Sequence, residues 1–170
     1  MIRVRLHKCL AYAGALYEGG ICALEILNEV NISMDAKSEN ESFARVAAAG
    51  FIAGLDPTMA ELNEVKTAVS EAVTNAVIHG YDSAASGKIN LKFTLDSDNT
   101  VTITISDSGK GIADIEEAMQ PLYTSKPEME RSGMGFTVME TFMDSTAVNS
   151  KPGEGTTITM TKKFRASGDE

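Results

Sequence analysis

A carboxylate, an amide and an imidazole recur at every fourth position in the stretch SEAVTNAVIHGY, residues 70–81. They belong to Glu71, Asn75 and His79, in a segment otherwise rich in Ala, Val and Ile. Glu71 and Asn75 would lie about 40° apart around a helix, because each residue advances by about 100°. A carboxylate can orient or deprotonate a nucleophile, and an amide oxygen can bind Mg²⁺. The same spacing also suits the solvated side of an amphipathic helix, and we expect His79 to complement the helix dipole rather than to react.

Two further stretches carry groups that could hold a nucleotide base. DSGKGI contains Asp107, Gly109 and Gly111 directly after a predicted strand. A carboxylate is an acceptor-only group that suits an exocyclic amine such as that of adenine, and glycines let the backbone approach a ligand closely. GEGTTI enters the last predicted strand and brings Thr156, which could approach a ligand beside the carboxylate. Each stretch by itself is also typical of an ordinary turn.

A glycine-rich helix start could hold phosphate. ERSGMGF, residues 130–136, places Gly133 and Gly135 before a predicted helix, whose free N–H groups and positive dipole end attract anions. Arg131 adds a cation with several donors, and Ser132 adds a hydroxyl. The glycine spacing matches neither the P-loop nor the dinucleotide-binding fingerprint. A glycine-rich helix start with an unrelated arginine remains the alternative.

The bulk composition indicates one soluble domain. The chain has 170 residues, of which 43% are hydrophobic and 23% charged, and its formal net charge is −9. An acidic chain is a poor match for the phosphate backbone of nucleic acid, so we expect no direct nucleic-acid partner. No apolar run approaches the roughly 20 residues that span a bilayer. The two cysteines, Cys9 and Cys22, fit no metal or disulfide pattern, and we expect a cytoplasmic protein.

Helix signals surround the first polar stretch. Ser38 or Asn40 could cap a first helix that stops at the turn-like Asp56-Pro57. Thr58 and a glutamate three residues later form a capping box, which opens a long helix ending near His79. Gly80 is placed to end that helix in a left-handed conformation. A further helix is predicted over residues 135–144.

Alternating segments predict an antiparallel sheet. The strands are expected over 30–37, in GKINLKFTLD and NTVTITISD joined by a short turn, and in a final hairpin that pairs TAVNS with TTITMTKKF. Apolar residues occupy every second position of the two central strands, which is typical of a sheet that helices cover on one side. Much of the span 109–135 is expected to be loop.

Taken in order, these stretches resemble the GHKL ATPase family, which histidine kinases, Hsp90-type chaperones, MutL and type II topoisomerases share. The resemblance is carried by Glu71 and Asn75 on a helix, D-x-G-x-G after a strand, G-x-G at a helix start and G-T-T on a closing strand. It implies an α+β fold, a two-layer α/β sandwich of the GHKL ATPase (Bergerat) type. Its sheet would be mixed and mostly antiparallel, with helices on one face.

Longer segments resemble the anti-sigma F factors of endospore-forming bacteria (stage II sporulation protein AB). They are NESFARV, FIAGLDPTMAEL, VSEAVTNAVIHGY, QPLYTSKPEMERSGMGFTVMETFMD and GTTI. The resemblance implies a serine kinase domain over residues 28–164. Residues 1–27 have no counterpart, so we expect them to be a loosely held extension or to precede the true start. Residues 165–170 are expected to be a disordered tail.

The resemblance also implies roles for individual residues. Glu71 would act as the general base or as the orienting group for the attacking serine hydroxyl, and Asn75 would hold Mg²⁺ between the phosphates of ATP or ADP. The adenine pocket would comprise Asp107, Gly109, Gly111 and Thr156. The phosphates would be held by Ser132, Gly133 and Gly135, with Arg131 assisting transfer at a lid.

The implied partners are proteins. A member of this family binds and inhibits a sporulation sigma factor, sigma F, and phosphorylates an anti-anti-sigma factor on serine. Arg45 in NESFARV would contact both partners, and the first strand and helix would form a homodimer. Three alternatives remain open: a general-stress anti-sigma kinase of the same fold, a non-catalytic nucleotide-gated module, and a histidine-kinase fragment. The histidine-kinase fragment is the weakest of the three, because we expect no phospho-acceptor helical hairpin before the domain.

Overall fold

The structure, a computed structural model, describes residues 24–82, 87–120 and 134–165. In chain order the strands and helices are β1 (Ile26–Asp35), α1 (Glu39–Ile52), α2 (Met59–Asn75), β2 (Lys88–Asp96), β3 (Thr100–Asp107), α3 (Ile115–Ala118), α4 (Gly135–Phe142), β4 (Ser145–Lys151) and β5 (Gly155–Lys163). A 3₁₀ turn over Ala53–Leu55 follows α1, and a π turn over Ala76–Gly80 follows α2. β1 thus begins four residues before the predicted strand, and α3 lies inside a span expected to be mostly loop.

The helix α1 starts and stops near the predicted points, although neither candidate residue caps it through its side chain. Ser38 occupies the N-cap position, but its side chain makes no capping hydrogen bond. The Asn40 amide instead donates to the backbone carbonyl of Asp35, at 2.8 Å, and so ties the helix start to the end of β1. The chain leaves the 3₁₀ turn through Asp56, whose φ of 51° is left-handed.

The helix α2 begins with the predicted capping box. The Thr58 hydroxyl accepts from the Glu61 N–H, while the Glu61 carboxylate accepts from the Thr58 N–H at 2.8 Å. Helical turns continue to Gly80, close to the predicted end near His79. The predicted left-handed conformation of Gly80 is wrong, because Gly80 is not among the described glycines with positive φ. The helix instead widens into the π turn, which the Tyr81 N–H closes by donating to the Ala76 carbonyl at 3.2 Å. π turns inside helices often occur at functional sites.

Five strands form one sheet in the described part of the chain, in the order β1-β2-β3-β5-β4. Every pairing is antiparallel, so the mostly antiparallel sheet that the sequence predicts is confirmed. The turn between β2 and β3 is stabilised by the Asp96 carboxylate, which accepts from the N–H groups of Asp98 and Thr100. The register places Asp107 at the end of β3 opposite Thr156 near the start of β5.

The core lies between one face of the sheet and the long helices. Apolar side chains at alternate positions of β2 and β3 are fully buried, as are those of one stripe of α2. Phe51 of α1 packs on Phe93 of β2 with ring centroids 5.4 Å apart, a common separation for aromatic pairs. Helices on one face of an antiparallel sheet make a two-layer α+β sandwich, so the predicted fold class is confirmed.

A partly buried ion pair connects the two layers next to α4. The Lys162 ammonium of β5 lies 2.9 Å from the Glu64 carboxylate of α2 and donates to the Phe142 carbonyl at 2.8 Å. Only 11% of the Lys162 side chain is exposed, so these two acceptors replace most of its hydration. The C-terminal end of α4 is thereby held against α2.

Some predictions lie outside the described residues. They concern both cysteines, most of the extension over 1–27, and the tail apart from Arg165. Among the described helices, none combines the length and the apolar composition that crossing a membrane requires.

Candidate nucleotide-binding site

A cavity of about 290 Å³ opens between the C-terminal half of α2, the start of α4, the end of β3 and the start of β5. Its walls combine apolar side chains with a few polar groups. The apolar ones include Ala72, Ala76, Ile105, Ile112, Phe136 and Ile158, and the polar ones include Asn75, His79, Asp107, Lys110 and Thr156. A concave apolar site with few polar groups is typical of small-ligand pockets.

The polar flank of α2 meets the first residue of α4 at one end of this cavity. A Cβ added to Gly135 would lie 3.2 Å from the Glu71 carboxylate and 3.3 Å from the Asn75 amide nitrogen. The buried backbone of Gly135 therefore lies directly against both side chains. The first N–H groups of a helix have no partner within it, so they are available to a ligand at this end. Glu71 itself is not among the residues that line the cavity.

Asp107 lies at the other end, where β3 stops. Its carboxylate accepts from the Gly109 N–H at 2.8 Å and from the backbone N–H of Thr156. Burial raises the pKa of the Asp107 carboxyl, and the two backbone hydrogen bonds oppose that rise. Gly80 allows this placement, because a Cβ there would lie only 3.0 Å from the Asp107 carboxylate oxygen.

The loop after β3 is packed too closely for side chains at its glycines. Gly111 has φ of +70°, and an added Cβ would lie 2.0 Å from the Lys151 carbonyl. A Cβ on Gly109 would lie 2.3 Å from the Gly80 carbonyl, which accepts a hydrogen bond from the Lys110 N–H. The predicted D-x-G-x-G stretch thus forms a tight turn against the π turn and the β4–β5 hairpin.

Thr156 belongs to a hydroxyl network that sequence analysis missed. Its hydroxyl lies 2.9 Å from that of Ser150, which also donates toward the Gly155 carbonyl at 2.9 Å and accepts from the Ile112 N–H at 2.8 Å. Ser150 and Thr156 are register partners in the β4–β5 hairpin. The predicted pairing of these two strands could have indicated that Ser150 lies beside Thr156.

Four titratable cavity residues were not predicted as site residues: His79, Lys110, Asp114 and Glu117. His79 lies in the π turn and lines the cavity, and Lys110 lines it from the loop after β3. The Lys110 ammonium lies 2.8 Å from the Asp82 carboxylate. His79 had been expected only to complement the helix dipole.

The remaining predicted residues lie elsewhere. Arg131, Ser132 and Gly133 fall outside the described residues. Arg45 lies on α1 and is not among the cavity residues, and its guanidinium pairs with the Glu41 carboxylate at 3.1 Å. Of the predicted residues, the structure therefore lines the cavity with Asn75 and Gly135 at one end and with Asp107, Gly111 and Thr156 at the other. Glu71 lies against Gly135 and Gly109 against Asp107, both outside the lining.

A metal ion at this site would take most of its coordinating oxygens from a bound nucleotide and from water. The described residues contain no group of three His, Cys, Asp or Glu side chains able to hold a metal ion. Asn75 can still offer one amide oxygen from the cavity wall. That donor set fits Mg²⁺, which usually keeps several waters and takes its other ligands from substrate phosphates.

Comparisons with known proteins agree with this geometry. Residues 34–162 match the family described as histidine kinase-like ATPase domain. The chain is 59% identical over 140 residues to the anti-sigma F factor of Bacillus subtilis (strain 168), covering 82% of this chain and 95% of that protein. It is 58% identical over 137 residues to the anti-sigma F factor of Clostridium beijerinckii, covering 81% and 95%.

Two solved structures share the fold at low identity. The RsbU and RsbW domains of a Mycobacterium tuberculosis protein superpose with a TM-score of 0.57 at 20% identity, over 82% of this chain and 34% of that one. The mycobacterial sensor histidine kinase MprB gives a TM-score of 0.51 at 15% identity, over 81% of this chain and 99% of that one. At such identities the similarity concerns the fold alone.

Proposed function

Because the chain belongs to the anti-sigma F factor family and carries a histidine kinase-like ATPase domain, we propose that it is an ATP-dependent protein serine kinase that also sequesters a sporulation sigma factor. Its phosphoryl acceptor would be a serine of an anti-anti-sigma factor. The observation that supports the kinase activity is that Asn75 and Gly135 line one end of a cavity whose other end holds Asp107, with the Glu71 carboxylate directly against Gly135.

The base of ATP would lie at the Asp107 end. The carboxylate, already held by two backbone N–H groups, would accept the exocyclic amine of adenine. Ile105 and Ile158, which are register partners on the buried face of the sheet, would contact one face of the ring. The Thr156 hydroxyl lies beside the carboxylate through the β3–β5 register and could accept or donate one further hydrogen bond.

The phosphates would lie at the Gly135 end. The N–H groups of the first turn of α4 and the positive end of its dipole favour negative charge there. Ser132, Gly133 and Arg131 are proposed to add donors and a cation from the segment that precedes α4. Asn75 would hold Mg²⁺, which would neutralise charge on the phosphates when bound.

Glu71 would accept the proton during transfer. The serine oxygen of the partner would bond to the γ-phosphorus while the bond to the bridging oxygen of ADP breaks, and the serine proton would pass to the Glu71 carboxylate. Such a reaction needs mainly positioning and charge neutralisation. The proximity of the Glu71 carboxylate to the backbone at Gly135 supports this role, because the proposed phosphate donors begin at the same residue.

The partner surface would include Arg45 on α1. Glu41 holds the guanidinium from within the same helix, and Glu41 in turn accepts a hydrogen bond from the Ser70 hydroxyl of α2. An arginine fixed in this way can make a bidentate contact with an acidic or carbonyl-rich partner. Arg45→Ala should weaken binding of the purified sporulation sigma factor, measured by calorimetry. Preference for a general-stress sigma factor in the same assay would favour the related stress kinase instead.

A homodimer through β1 completes the proposal. Within the described residues β1 pairs only with β2, and its Ile26, Leu27 and Val30 are exposed by 53%, 57% and 38%. An exposed apolar edge strand favours pairing with another chain. Light scattering should give the mass of a dimer for the protein and of a monomer for Val30→Lys.

The decisive experiment is phosphorylation of a purified anti-anti-sigma factor. With ATP and Mg²⁺, the protein should transfer phosphate to a partner serine, and Glu71→Gln should lower the rate by about 10²- to 10⁴-fold, as loss of a general base does. ATP binding by Glu71→Gln should stay within a few-fold of the unaltered protein. Glu154→Gln, in the exposed β4–β5 turn, serves as the matched control. Tight ATP binding without any partner phosphorylation would instead indicate a non-catalytic, nucleotide-gated module.

A further inference from the structure

The Tyr81 side chain connects three separate segments around the Asp107 end of the cavity. Its hydroxyl donates to the Lys88 carbonyl at the start of β2, at 2.7 Å. The same hydroxyl accepts from the Ser108 N–H, the residue that follows Asp107, at 2.9 Å. Its backbone N–H closes the π turn after α2. Through its side chain and its backbone N–H, this one residue therefore ties the π turn, β2 and the loop after β3 together.

Close packing holds the Tyr81 ring in this position. A Cβ added to Gly87 would lie 2.3 Å from two carbons of the ring, so the ring occupies the space that any other residue at position 87 would need. The ring thus lies against bare backbone just before β2. A tyrosine hydroxyl with both a donor and an acceptor partner, on a ring packed against backbone, has little freedom to move.

The loop that carries Asp107 is held on both sides by residues 80 and 81. Ser108 donates to the Tyr81 hydroxyl, and Lys110 donates its N–H to the Gly80 carbonyl at 3.0 Å. Between these two points, the Gly109 N–H donates to the Asp107 carboxylate. The orientation of the Asp107 carboxylate therefore depends on the turn at residues 108–110. Residues 80 and 81 fix this turn through the N–H groups of Ser108 and Lys110.

We infer that Tyr81 is a positioning residue for recognition of the nucleotide base, acting through the loop that orients Asp107. The inference rests on the proposed function, in which Asp107 accepts the adenine amine. A hydrogen bond to a base discriminates well only when its acceptor is held before binding. Ser108 is exposed, so water can satisfy its N–H when the tyrosine hydroxyl is absent. Loss of the hydroxyl should thus loosen the loop more than it unfolds the protein.

Discrimination between ATP and inosine triphosphate tests this role. Inosine triphosphate presents a carbonyl where ATP presents the amine, so it would face the Asp107 carboxylate with a second acceptor. The unaltered protein should bind ATP at least about tenfold more tightly, as expected for one charged hydrogen bond. Tyr81→Phe keeps the packed ring, and the ATP preference should fall by roughly threefold or more through weaker ATP binding.

The control variant is Ser145→Ala. It removes a hydroxyl that is hydrogen-bonded to the Thr161 hydroxyl at 2.6 Å. Because Ser145 does not line the cavity, this change should leave the ATP preference unchanged. If Tyr81→Phe proves unstable, Gly87→Ala offers a second variant, because it displaces the ring but retains the hydroxyl. It should lower the ATP preference in the same way.

Failure of the inference and failure of the proposed function give different results. An ATP preference that Asp107→Asn abolishes but that survives in Tyr81→Phe and Gly87→Ala would overturn the role of Tyr81 alone. Equal binding of ATP and inosine triphosphate by the unaltered protein would overturn base recognition by Asp107, on which the inference depends.

Discussion

Replacing Asp107 by Asn tests the proposed base contact with the smallest change in shape. The Asp107 carboxylate accepts two backbone N–H groups, from Gly109 and Thr156. An amide offers one acceptor oxygen where the carboxylate offers two. The Asn oxygen would remain with one backbone donor, and its NH₂ group would face the other donor or the incoming amine. Adenine would then meet a donor where it now meets an acceptor.

The expected loss follows from the kind of hydrogen bond that is removed. A hydrogen bond to a charged acceptor contributes about 1.5–3 kcal/mol, which corresponds to roughly 10- to 150-fold in affinity. Asp107→Asn should weaken ATP binding by that factor, measured by titration calorimetry with Mg²⁺ present. Binding of inosine triphosphate should weaken less, because this nucleotide has no exocyclic amine and so makes no such hydrogen bond to Asp107. Asp56→Asn, in an exposed turn whose left-handed φ an asparagine tolerates, is the matched control.

The pH dependence has a defined sign. Burial raises the pKa of Asp107 in the folded protein above its unfolded value, so its favourable contribution to stability is present below the unfolded pKa and is lost as pH rises through the folded pKa. The free energy of unfolding of Asp107→Asn, relative to the unaltered protein, should therefore increase with pH across that window. An amine donor favours the ionised carboxylate, so ATP binding should release a proton there.

Two results would refute this reasoning. One is an unchanged ATP affinity in Asp107→Asn, which would remove the base from this end of the cavity. The other concerns the free energy of unfolding of Asp107→Asn minus that of the unaltered protein. The reasoning fails if this difference falls or stays level as pH rises from about 4. The first result concerns the site alone, and the second concerns the burial of the carboxylate in the protein without nucleotide.

Three further substitutions test the fold that holds the site, each by urea unfolding. Gly111→Ala should cost about 3 kcal/mol or more, because φ is +70° and the new Cβ would lie 2.0 Å from the Lys151 carbonyl; a loss below 1 kcal/mol would contradict that packing. Lys162→Met should cost about 1–3 kcal/mol by leaving the Glu64 carboxylate unpaired, and adding Glu64→Gln should recover part of the loss; no recovery would mean that the ion pair is not responsible. Thr58→Ala should cost about 1 kcal/mol by removing the capping box, whereas Thr58→Ser should cost little.

Sequence analysis predicted the parts of the site that depend on local spacing. Glu71 and Asn75 were placed on one flank of a helix by their four-residue separation, and the structure puts both beside Gly135. Asp107 was placed at a strand end by the alternation before it. The capping box at Thr58 followed from residue types three apart, and it is confirmed.

The misses concern contacts between segments that are distant along the chain. Gly80 was expected to end a helix in a left-handed conformation. Its lack of a side chain instead lets the Asp107 carboxylate, at the end of β3, approach the π turn closely. Ser150 received no role, although it bonds Thr156 across a hairpin and Ile112 across a loop. Tyr81 showed nothing unusual in its local pattern, yet it joins β2 to the loop after β3.

The sequence by itself determined which residues share a face, where the long helices and the central strands lie, and the family whose motifs they carry. Helical and strand periodicity are properties of a few neighbouring residues, so a local pattern records them. Only the tertiary structure decided how closely the π turn, the loop after β3 and the β4–β5 hairpin approach one another. That approach depends on which backbone atoms meet where no Cβ intervenes, at Gly80, Gly109 and Gly111. Such contacts join residues tens of positions apart, and a local pattern carries no record of them.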